Sequence, residues 1–361
     1  MIYRDYGTTG KKVSLLGFGG MRFQHIDDTD ECVHMMVKAA EGGVNYFDTA
    51  PGYFDKKSES VFGSGLEELR RRNLPYYVST KTFKTTEDTI RKEIEAQLRR
   101  LNVPYIDFYH IWCILNLDNW EERKKDGILG ALHKLKEEGL IKHICVSSHL
   151  IQDEINTLLT EGVFDGVLFG YSAYNFKSRE KAFNAIRRRK LGAVVMNPLG
   201  GGIIPGNPEL FDFLKRPGDS IVESALYFLW DHEDISVTLV GFRSPEDVAD
   251  ALSAMNSYKP RTGAELAAVK EKAGASLEGI CTGCAYCDNC PEGIPIPKFM
   301  DSYNQKLLRQ PGDIKMKERI ANQWSLSPVD AGKCSECGQC ESTCTQHLPI
   351  IERLKYIAKS R

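Results

Sequence analysis

The sequence predicts an α/β protein in which a closed (β/α)8 barrel is followed by a small, mostly helical domain. In residues 1–255, short runs of β-branched or aromatic residues alternate with longer helical patterns. This alternation yields eight strand–helix units, a number that fits a closed barrel better than an open doubly wound sheet. After about Gly263 the pattern changes to helices separated by two cysteine-rich runs. We therefore expect a barrel over residues 1–263 and a second domain over residues 264–361.

A short hairpin opens the chain, and the eight strand–helix units follow it. Gly7 and Gly10 supply the turn of this hairpin, which we expect to close the bottom of the barrel. The predicted barrel strands are residues 14–18, 46–48, 77–81, 108–112, 144–147, 166–169, 193–196 and 237–240. The predicted helices are residues 30–41, 58–69, 86–101, 120–138, 152–160, 178–189, 221–230 and 245–254.

Composition and charge exclude several classes of protein. The 361 residues are 42% hydrophobic, with 47 basic against 49 acidic side chains, so neither a disordered chain nor a nucleic-acid or membrane-surface binder is indicated. No run of about 18 apolar residues is present, and the N-terminal segment lacks an apolar signal core. We therefore expect a soluble, cytoplasmic protein that acts on a small-molecule substrate.

Cysteine usage is unusual. Eight of the eleven cysteines form two runs in which every step but the last is three residues: Cys281, Cys284, Cys287 and Cys290, then Cys334, Cys337, Cys340 and Cys344. Zinc ribbons use two separated CxxC pairs, whereas repeated steps of three surround cuboidal iron–sulfur clusters. The runs therefore favour two [4Fe–4S] clusters in a ferredoxin-type domain. Two zinc sites or reduced thiols remain the alternative.

In ferredoxins the last cysteine of one run ligates the cluster of the other run. One predicted ligand set is therefore Cys281, Cys284, Cys287 and Cys344, and the other is Cys334, Cys337, Cys340 and Cys290. Two details depart from the bacterial ferredoxin pattern. Only two residues precede the last cysteine of the first run, and Thr345 stands where proline is expected.

Chemistry in such a barrel is expected at the C-terminal ends of the strands. The second predicted strand ends at Asp48 and is followed by Tyr53, and the third ends at Lys81. These residues resemble those of the aldo-keto reductases. The resemblance implies that Tyr53 gives a proton to a carbonyl, that Lys81 lowers the pKa of Tyr53, and that Asp48 pairs with Lys81. A solvated tyrosine beside a structural ion pair is the alternative interpretation.

Further motifs look like a branch of this family that carries C-terminal cysteine runs. They are Gly17-Phe-Gly-Gly-Met-Arg22, Tyr105-Ile-Asp-Phe-Tyr and Pro198-Leu-Gly-Gly-Gly202. The family places a fourth catalytic residue, a histidine, at the end of the fourth strand. Trp112 takes that place here, while His110 lies two residues earlier on the same strand face, about 6.6 Å deeper. Either His110 replaces the family histidine, or the site lacks this carbonyl-orienting hydrogen-bond donor.

The expected cofactor is NADP(H), with a flavin as an alternative. Phosphates are expected at the loops after the last two strands, where glycines and a helix N-terminus expose backbone N–H groups. The resemblance adds contacts near the first, fifth and sixth strands. The candidate residues are Gly20, Met21, Ser147, Ser148, Tyr171, Pro198, Leu199, Gly200, Gly241, Arg243, Ser244 and Asp247.

Taken together, the resemblance implies an oxidoreductase that reduces a small carbonyl or a related unsaturated substrate with NADP(H). The clusters would either relay electrons from an external donor, such as a ferredoxin or flavodoxin, or stabilise the C-terminal domain. The alternative is a non-catalytic or flavin-dependent electron-transfer protein built on the same barrel.

Overall fold

A computed structural model, which describes residues 1–273, 279–309 and 311–360, contains a closed barrel of eight parallel strands. The strands are β1 (Tyr3–Asp5), β2 (Lys12–Ser14), β3 (Leu16–Gly19), β4 (Tyr46–Asp48), β5 (Tyr77–Thr82), β6 (Ile106–Ile114), β7 (Ile141–Ser148), β8 (Gly166–Gly170), β9 (Gly192–Met196) and β10 (Val237–Gly241). The order around the barrel is β10-β3-β4-β5-β6-β7-β8-β9, and β1 pairs with β2 as an antiparallel hairpin. The predicted (β/α)8 fold is confirmed.

Helices connect the barrel strands. In the first 273 residues they are α1 (Thr29–Glu41), α2 (Lys57–Arg71), α3 (Glu87–Leu101), α4 (Leu117–Lys125), α5 (Ile128–Glu137), α6 (Gln152–Thr160), α7 (Phe176–Arg179), α8 (Ala182–Arg189), α9 (Ile203–Gly206), α10 (Ile221–Trp230), α11 (Pro245–Ser257) and α12 (Gly263–Lys272). The region predicted as one helix over 120–138 forms two, because Gly127 adopts a φ of 91° between α4 and α5. No helix in the described ranges is both long and apolar enough to cross a bilayer.

The N-terminal hairpin inserts a side chain into the barrel. Tyr6, in the turn between β1 and β2, is fully buried in the same apolar cluster as Tyr46 and Phe108. Gly166 and Gly192 begin β8 and β9, and a Cβ at either position would lie 2.3 or 2.2 Å from an atom of Tyr6. Tyr6 therefore fills the N-terminal end of the barrel at a place where only glycine fits beside it, in agreement with the predicted role of the hairpin.

Strand register stacks polar groups inside the barrel in layers. Asp48 pairs with Ser79 across β4 and β5, Lys81 pairs with His110 across β5 and β6, and His110 pairs with Cys145 of β7. Cys145 belongs to the apolar cluster inside the barrel. Because residues in register on neighbouring parallel strands face the same side of a sheet, His110 and Lys81 face inward as well.

The chain divides into two compact units. The first comprises Met1–Pro198 and Leu214–Lys270, and the second comprises Leu199–Phe213 and Glu271–Arg361. The segment Leu199–Phe213 follows β9 directly in the sequence, yet its contacts are with the C-terminal unit. Arg309 Nη2, for example, donates a hydrogen bond to Gly206 O over 2.9 Å.

The second unit is built from two matching halves. Its helices after the first unit are α13 (Ile296–Leu308), α14 (Gly312–Glu318), α15 (Pro328–Ala331), α16 (Gln339–Ser342) and α17 (Ile350–Lys359). Each cysteine run is followed three residues later by a left-handed residue, Gly293 (φ 66°) or His347 (φ 51°). Proline then precedes each long helix, with φ of −76° at Pro295 and −75° at Pro349. The two halves share one apolar core formed by Ile294, Ile296, Phe299, Met300, Leu348, Ile350, Leu354 and Ile357, among others.

Candidate active site and iron–sulfur ligands

Asp48 and Lys81 form a buried ion pair at the ends of β4 and β5. Lys81 Nζ lies 2.6 Å from Asp48 Oδ2, and each side chain is only 1% exposed. Ser79 Oγ donates to Asp48 Oδ1 over 2.7 Å, and Lys81 Nζ donates a second hydrogen bond to Thr49 O over 2.7 Å. Burial raises the pKa of Asp48 and lowers the pKa of Lys81, while the charge of each partner opposes these shifts. The pair therefore fixes an ammonium group beneath the barrel mouth.

Tyr53 lies above this ammonium group. The centroid of its half-buried ring is 5.1 Å from Lys81 Nζ. The Tyr53 N–H donates to Ala50 O over 3.1 Å, and the next three residues, 54–56, all have positive φ between 48° and 71° before α2 begins. A tight left-handed turn therefore presents Tyr53 to the mouth, and the structure brings Asp48, Tyr53 and Lys81 together.

Trp112 and Phe83 form an aromatic wall beside Tyr53. The Trp112 and Phe83 rings stack with centroids 3.9 Å apart, and Trp112 meets Tyr53 edge to face at 5.6 Å. A Cβ at Gly52 would lie 2.9 Å from the Trp112 indole, so glycine leaves room for it. Arg123 Nη1 holds the Trp112 carbonyl over 2.9 Å. The indole is thus held in place near the C-terminal end of β6.

His110 lies deeper in the barrel than Trp112. Its side chain is fully buried, and within the described part of the chain neither ring nitrogen has a hydrogen-bond partner. Burial, and then the charge of Lys81, lower the pKa of His110 to about 3. His110 is therefore neutral at physiological pH and sits below the aromatic wall.

Two residues at the mouth were missed by the sequence reasoning. Phe83 is 46% exposed and follows Lys81 by two positions, so the period-two alternation of a strand places it on the same face. Arg22 lies against the end of β10, where a Cβ at Gly241 would come within 2.5 Å of Arg22 Cγ. Arg22 is the last residue of the Gly17–Arg22 motif, and only the packing of β3 beside β10 shows where it lies.

The predicted cofactor residues on β7 and β8 differ in environment. Ser147 is 1% exposed and its Oγ has no hydrogen-bond partner among the described residues. Ser148 Oγ instead accepts a hydrogen bond from Leu150 N over 3.2 Å. Tyr171 is fully buried against Phe183 of α8, and its hydroxyl donates to Glu180 Oε2 over 3.1 Å. The Tyr171 ring therefore occupies the helical layer outside the strands.

The end of β10 and the start of α11 form a basic corner. Arg243 is 70% exposed, and its Nε lies 3.1 Å from Asp247 Oδ2. The Arg243 backbone N–H also donates to Asp247 Oδ2, over 3.0 Å. Ser244 precedes α11, whose first residue is Pro245. A thirteen-residue helix therefore directs its N-terminus, next to an exposed guanidinium group, toward the C-terminal end of the barrel.

The remaining predicted cofactor residues fall in both units. Gly20 is packed, because a Cβ there would lie 2.5 Å from Phe62 of α2, whereas Met21 is 39% exposed. Pro198 ends the first segment of the barrel unit. Leu199 and Gly200 belong to the second unit.

The first predicted cysteine set is drawn together in the second unit. Burial, together with the nearby thiols of Cys284 and Cys344, raises the pKa of Cys281 and of Cys287 to about 12. Backbone N–H groups point at these sulfurs, with Gly283 N 3.5 Å from Cys281 Sγ. Such N–H groups are suitable partners for thiolates that ligate a cluster.

The second predicted cysteine set surrounds a cavity. Cys290, Cys334, Cys337 and Cys340 all line a space of about 320 Å³. Within the described residues, no three His, Cys, Asp or Glu side chains converge closely enough to hold a single metal ion. The cysteines thus stand around an open space of the kind that a multi-iron cluster fills, and the chemistry of eight cysteine sulfurs suits iron.

Comparison with known proteins places both parts of the chain. Residues 15–273 match the model of the aldo/keto reductase family. L-galactose dehydrogenase of Arabidopsis thaliana is 29% identical over 291 residues, which cover 71% of this chain and 88% of that protein. NADH-specific methylglyoxal reductase of Escherichia coli is 26% identical over 310 residues, covering 69% and 92%.

Solved structures agree with the barrel assignment. The holo form of an aldo-keto reductase from Bacillus halodurans superposes with a TM-score of 0.66 at 23% identity, covering 77% of this chain and 98% of that one, which shows a shared fold. Residues 280–349 match a 4Fe-4S dicluster domain, and this range includes all eight clustered cysteines. The chain with the buried Asp48–Lys81 pair is therefore an oxidoreductase that belongs to the aldo/keto reductase family and carries a C-terminal 4Fe-4S domain.

Proposed function

We propose that the barrel reduces a small carbonyl compound with NADP(H), and that Tyr53 donates the proton. The observation that carries the proposal is the buried Lys81 ammonium group, held by Asp48 and lying 5.1 Å from the centroid of the Tyr53 ring. When bound, NADPH would supply a hydride to the carbonyl carbon. The carbonyl oxygen then takes the phenolic proton of Tyr53, the product leaves as an alcohol, and solvent returns a proton to the phenolate.

The ion pair has a specific task in this scheme. A positive charge beside a phenol stabilises the phenolate and so makes the hydroxyl a better acid near neutral pH. Asp48 keeps Lys81 charged and in place in spite of its burial. Thr49 O, which accepts the second hydrogen bond of Lys81 Nζ, fixes the direction of the ammonium group.

The aromatic wall favours a planar substrate. His110 is buried and neutral, so we assign it no contact with the carbonyl. The stacked Trp112 and Phe83 rings offer a flat apolar surface beside Tyr53. We therefore propose that the carbonyl is conjugated to an unsaturated or aromatic group that lies against this wall.

The barrel residues fit a nicotinamide nucleotide. Ser147 Oγ is a buried hydroxyl without a partner in the described structure, at the end of β7, and can hydrogen-bond a carboxamide. Arg243 and the N-terminus of α11 suit phosphate groups, and Arg22 adds a second positive charge against Gly241. We omit Tyr171 from this site because its ring faces α8. We prefer NADPH to NADH because two arginines flank the place proposed for phosphate.

The C-terminal unit is proposed to hold two [4Fe–4S] clusters that exchange electrons with an external carrier protein. Two cysteine sets, a cavity beside the second set and the matched halves of the fold support two clusters rather than one. Cys337 is exposed, which leaves one edge of the second set open to an electron donor. A ferredoxin or flavodoxin would be a suitable carrier.

Replacing Tyr53 with Phe tests the proposed chemistry. Turnover of an unsaturated aldehyde panel with NADPH, measured anaerobically, is expected to fall about 10²- to 10⁴-fold, the usual contribution of a positioned general acid. Binding of NADPH should not change. Tyr105→Phe, which alters an exposed tyrosine, is the control. Undiminished turnover in the Tyr53 variant would show that the proton comes from another group.

Adding NADPH under anaerobic conditions to the protein loaded with its iron–sulfur clusters tests the proposed electron transfer separately. Loss of cluster absorbance without a carrier would indicate internal transfer. An unchanged spectrum, followed by bleaching on addition of a reduced ferredoxin, would support the external carrier.

A further inference from the structure

We propose that Arg353 selectively raises the reduction potential of the cluster held by Cys281, Cys284, Cys287 and Cys344. This inference rests on the assignment of two clusters in the proposed function. Arg353 belongs to no ligand motif, and its charge would give the two clusters different reduction potentials.

Arg353 lies on α17, after the second cysteine run, and contacts the backbone that precedes the first run. It lies nine residues after Cys344 and is only 7% exposed. Its Nη2 donates to Gly279 O over 2.7 Å, and Gly279 stands two residues before Cys281. The guanidinium group also stacks on Tyr303, 4.8 Å from the ring centroid. The positive charge is therefore fixed beside the backbone that leads into the first cysteine set.

Among the described residues, no carboxylate forms a hydrogen bond or a close ion pair with the Arg353 guanidinium group. Nη1 is buried and makes no hydrogen bond within the described ranges of the chain. Burial lowers the pKa of Arg353, opposed first by Tyr303, then by the thiols of Cys281 and Cys344, and last by the carboxylate of Glu352. A guanidinium group nonetheless remains protonated in proteins, and an unpaired buried charge is costly. An anionic cluster on the first cysteine set would supply a nearby counter-charge in addition to that of Glu352.

The repeat within the domain provides an internal comparison. Counting from the last cysteine of each run, the residue equivalent to Arg353 is Phe299 on α13. Because the last cysteine of a run ligates the cluster of the other run, α17 leads away from the first set and α13 from the second. The first cluster therefore has a buried guanidinium group beside it, and the second has a phenyl ring, buried in the apolar core.

Hydrogen bonds to sulfur add to this asymmetry, because the described part of the second set receives one, from Glu336 N to Cys334 Sγ over 3.4 Å, and the first set receives more. Leu348 N lies 3.4 Å from Cys344 Sγ, and Thr345 Oγ1 lies 3.3 Å from Cys284 Sγ. Thr345 stands where ferredoxins carry proline, and it thereby offers a hydroxyl to the first set. Hydrogen bonds to cluster sulfurs raise the potential in the same direction as a positive charge does.

The physical consequence follows from charge alone. Reduction adds one electron to a cluster and neither forms nor breaks a bond to the protein. A neighbouring positive charge stabilises the reduced form more than the oxidised form, and low polarity around it increases the effect. Removing the charge of Arg353 should therefore make the first cluster harder to reduce and leave the second nearly unchanged.

The test is a redox titration of the full-length protein with dithionite, followed by electron paramagnetic resonance. Arg353→Met removes the charge, and Arg353→Lys keeps it. Lys355→Met is the matched control, because Lys355 is on the same helix but is 50% exposed and paired with Glu336. We expect the Met variant to lower the reduction equilibrium constant of one cluster at least tenfold, which is 59 mV for one electron. The Lys variant and the control should each stay within threefold.

Several results would overturn the proposal. Unchanged potentials in Arg353→Met, or equal shifts of both clusters, would remove the selective role. If Arg353→Met loses iron, Arg353→Gln, which keeps a donor for Gly279 O, replaces it. Iron loss in both neutral variants would instead assign Arg353 a structural role. Iron content of the unmodified protein tests the cluster count independently, since four irons rather than eight would contradict two clusters without touching the result for the first set.

Discussion

Replacing Lys81 with Met should destabilise the barrel in a strongly pH-dependent way. Methionine retains much of the volume of the lysine stem, so the change removes a charge without opening a large cavity. Asp48 would then be a buried carboxylate with only the 2.7 Å hydrogen bond from Ser79. Breaking a buried ion pair by removing one partner typically costs about 3–5 kcal/mol. We expect a loss of this size at pH 8.

The loss of stability depends on pH because Asp48 can take up a proton in the variant. In the variant the folded-state pKa of Asp48 lies above its unfolded value of about 3.9, so stability is retained below that value and lost as the pH rises through the folded pKa. Keeping Asp48 protonated above its unfolded-state pKa costs about 1.4 kcal/mol per pH unit, which is about 1.5 kcal/mol at pH 5 and about 5.6 kcal/mol at pH 8. The deficit at pH 5 should therefore not exceed about 1.5 kcal/mol.

The assay is urea-induced unfolding followed by tryptophan fluorescence at pH 5 and pH 8. Lys84→Met, at an exposed lysine three residues along the chain, should stay within about 0.5 kcal/mol of the unmodified protein at both pH values. The double variant Asp48→Asn with Lys81→Met should lose the pH dependence, because it carries neither charge.

Two outcomes would refute this reasoning. A deficit below about 1 kcal/mol at pH 8 would mean that the pair is solvated rather than buried. An equal deficit at pH 5 and pH 8 would mean that the cost arises from packing and not from the charge of Asp48.

Two further predictions concern the interior of the barrel. The pKa of His110 is lowered to about 3, so its Cε1 resonance should not titrate between pH 8 and pH 5 in a nuclear magnetic resonance experiment; a midpoint near 6.5 for His110 would contradict its burial. Gly192→Ala places a Cβ 2.2 Å from Tyr6 and should cost about 1–3 kcal/mol, whereas Gly130→Ala, in α5 with no atom within 4 Å, should be neutral or stabilising; equal stability of the two variants would show that Tyr6 does not fill the barrel end.

The sequence by itself determined the architecture and the chemistry-bearing residues of the barrel mouth. Alternating strand and helix patterns specify eight parallel strands, and parallel strands bring their C-terminal ends to one rim. Asp48 and Lys81 end consecutive strands, so their meeting could be expected from order along the chain alone. The cysteine spacing predicts the iron–sulfur domain just as directly, because a spacing of three residues is a local feature of the sequence that needs no tertiary information.

Other features depended on the direction in which side chains point. Tyr171 was predicted at the cofactor, yet Leu168 faces the inside of the barrel. An offset of three therefore turns Tyr171 outward, toward the helices. The alternation is visible in the sequence, but a strand of five residues is short enough for its register to be ambiguous.

Only the tertiary structure decided which distant residues meet. Three features bring together residues from separate elements. They are the aromatic wall of Phe83 and Trp112, the two arginines near the end of β10 (Arg22 and Arg243), and the contact of Arg353 with Gly279. No local pattern encodes these meetings. They result from strand order and helix packing, which bring residues far apart in the sequence to one place.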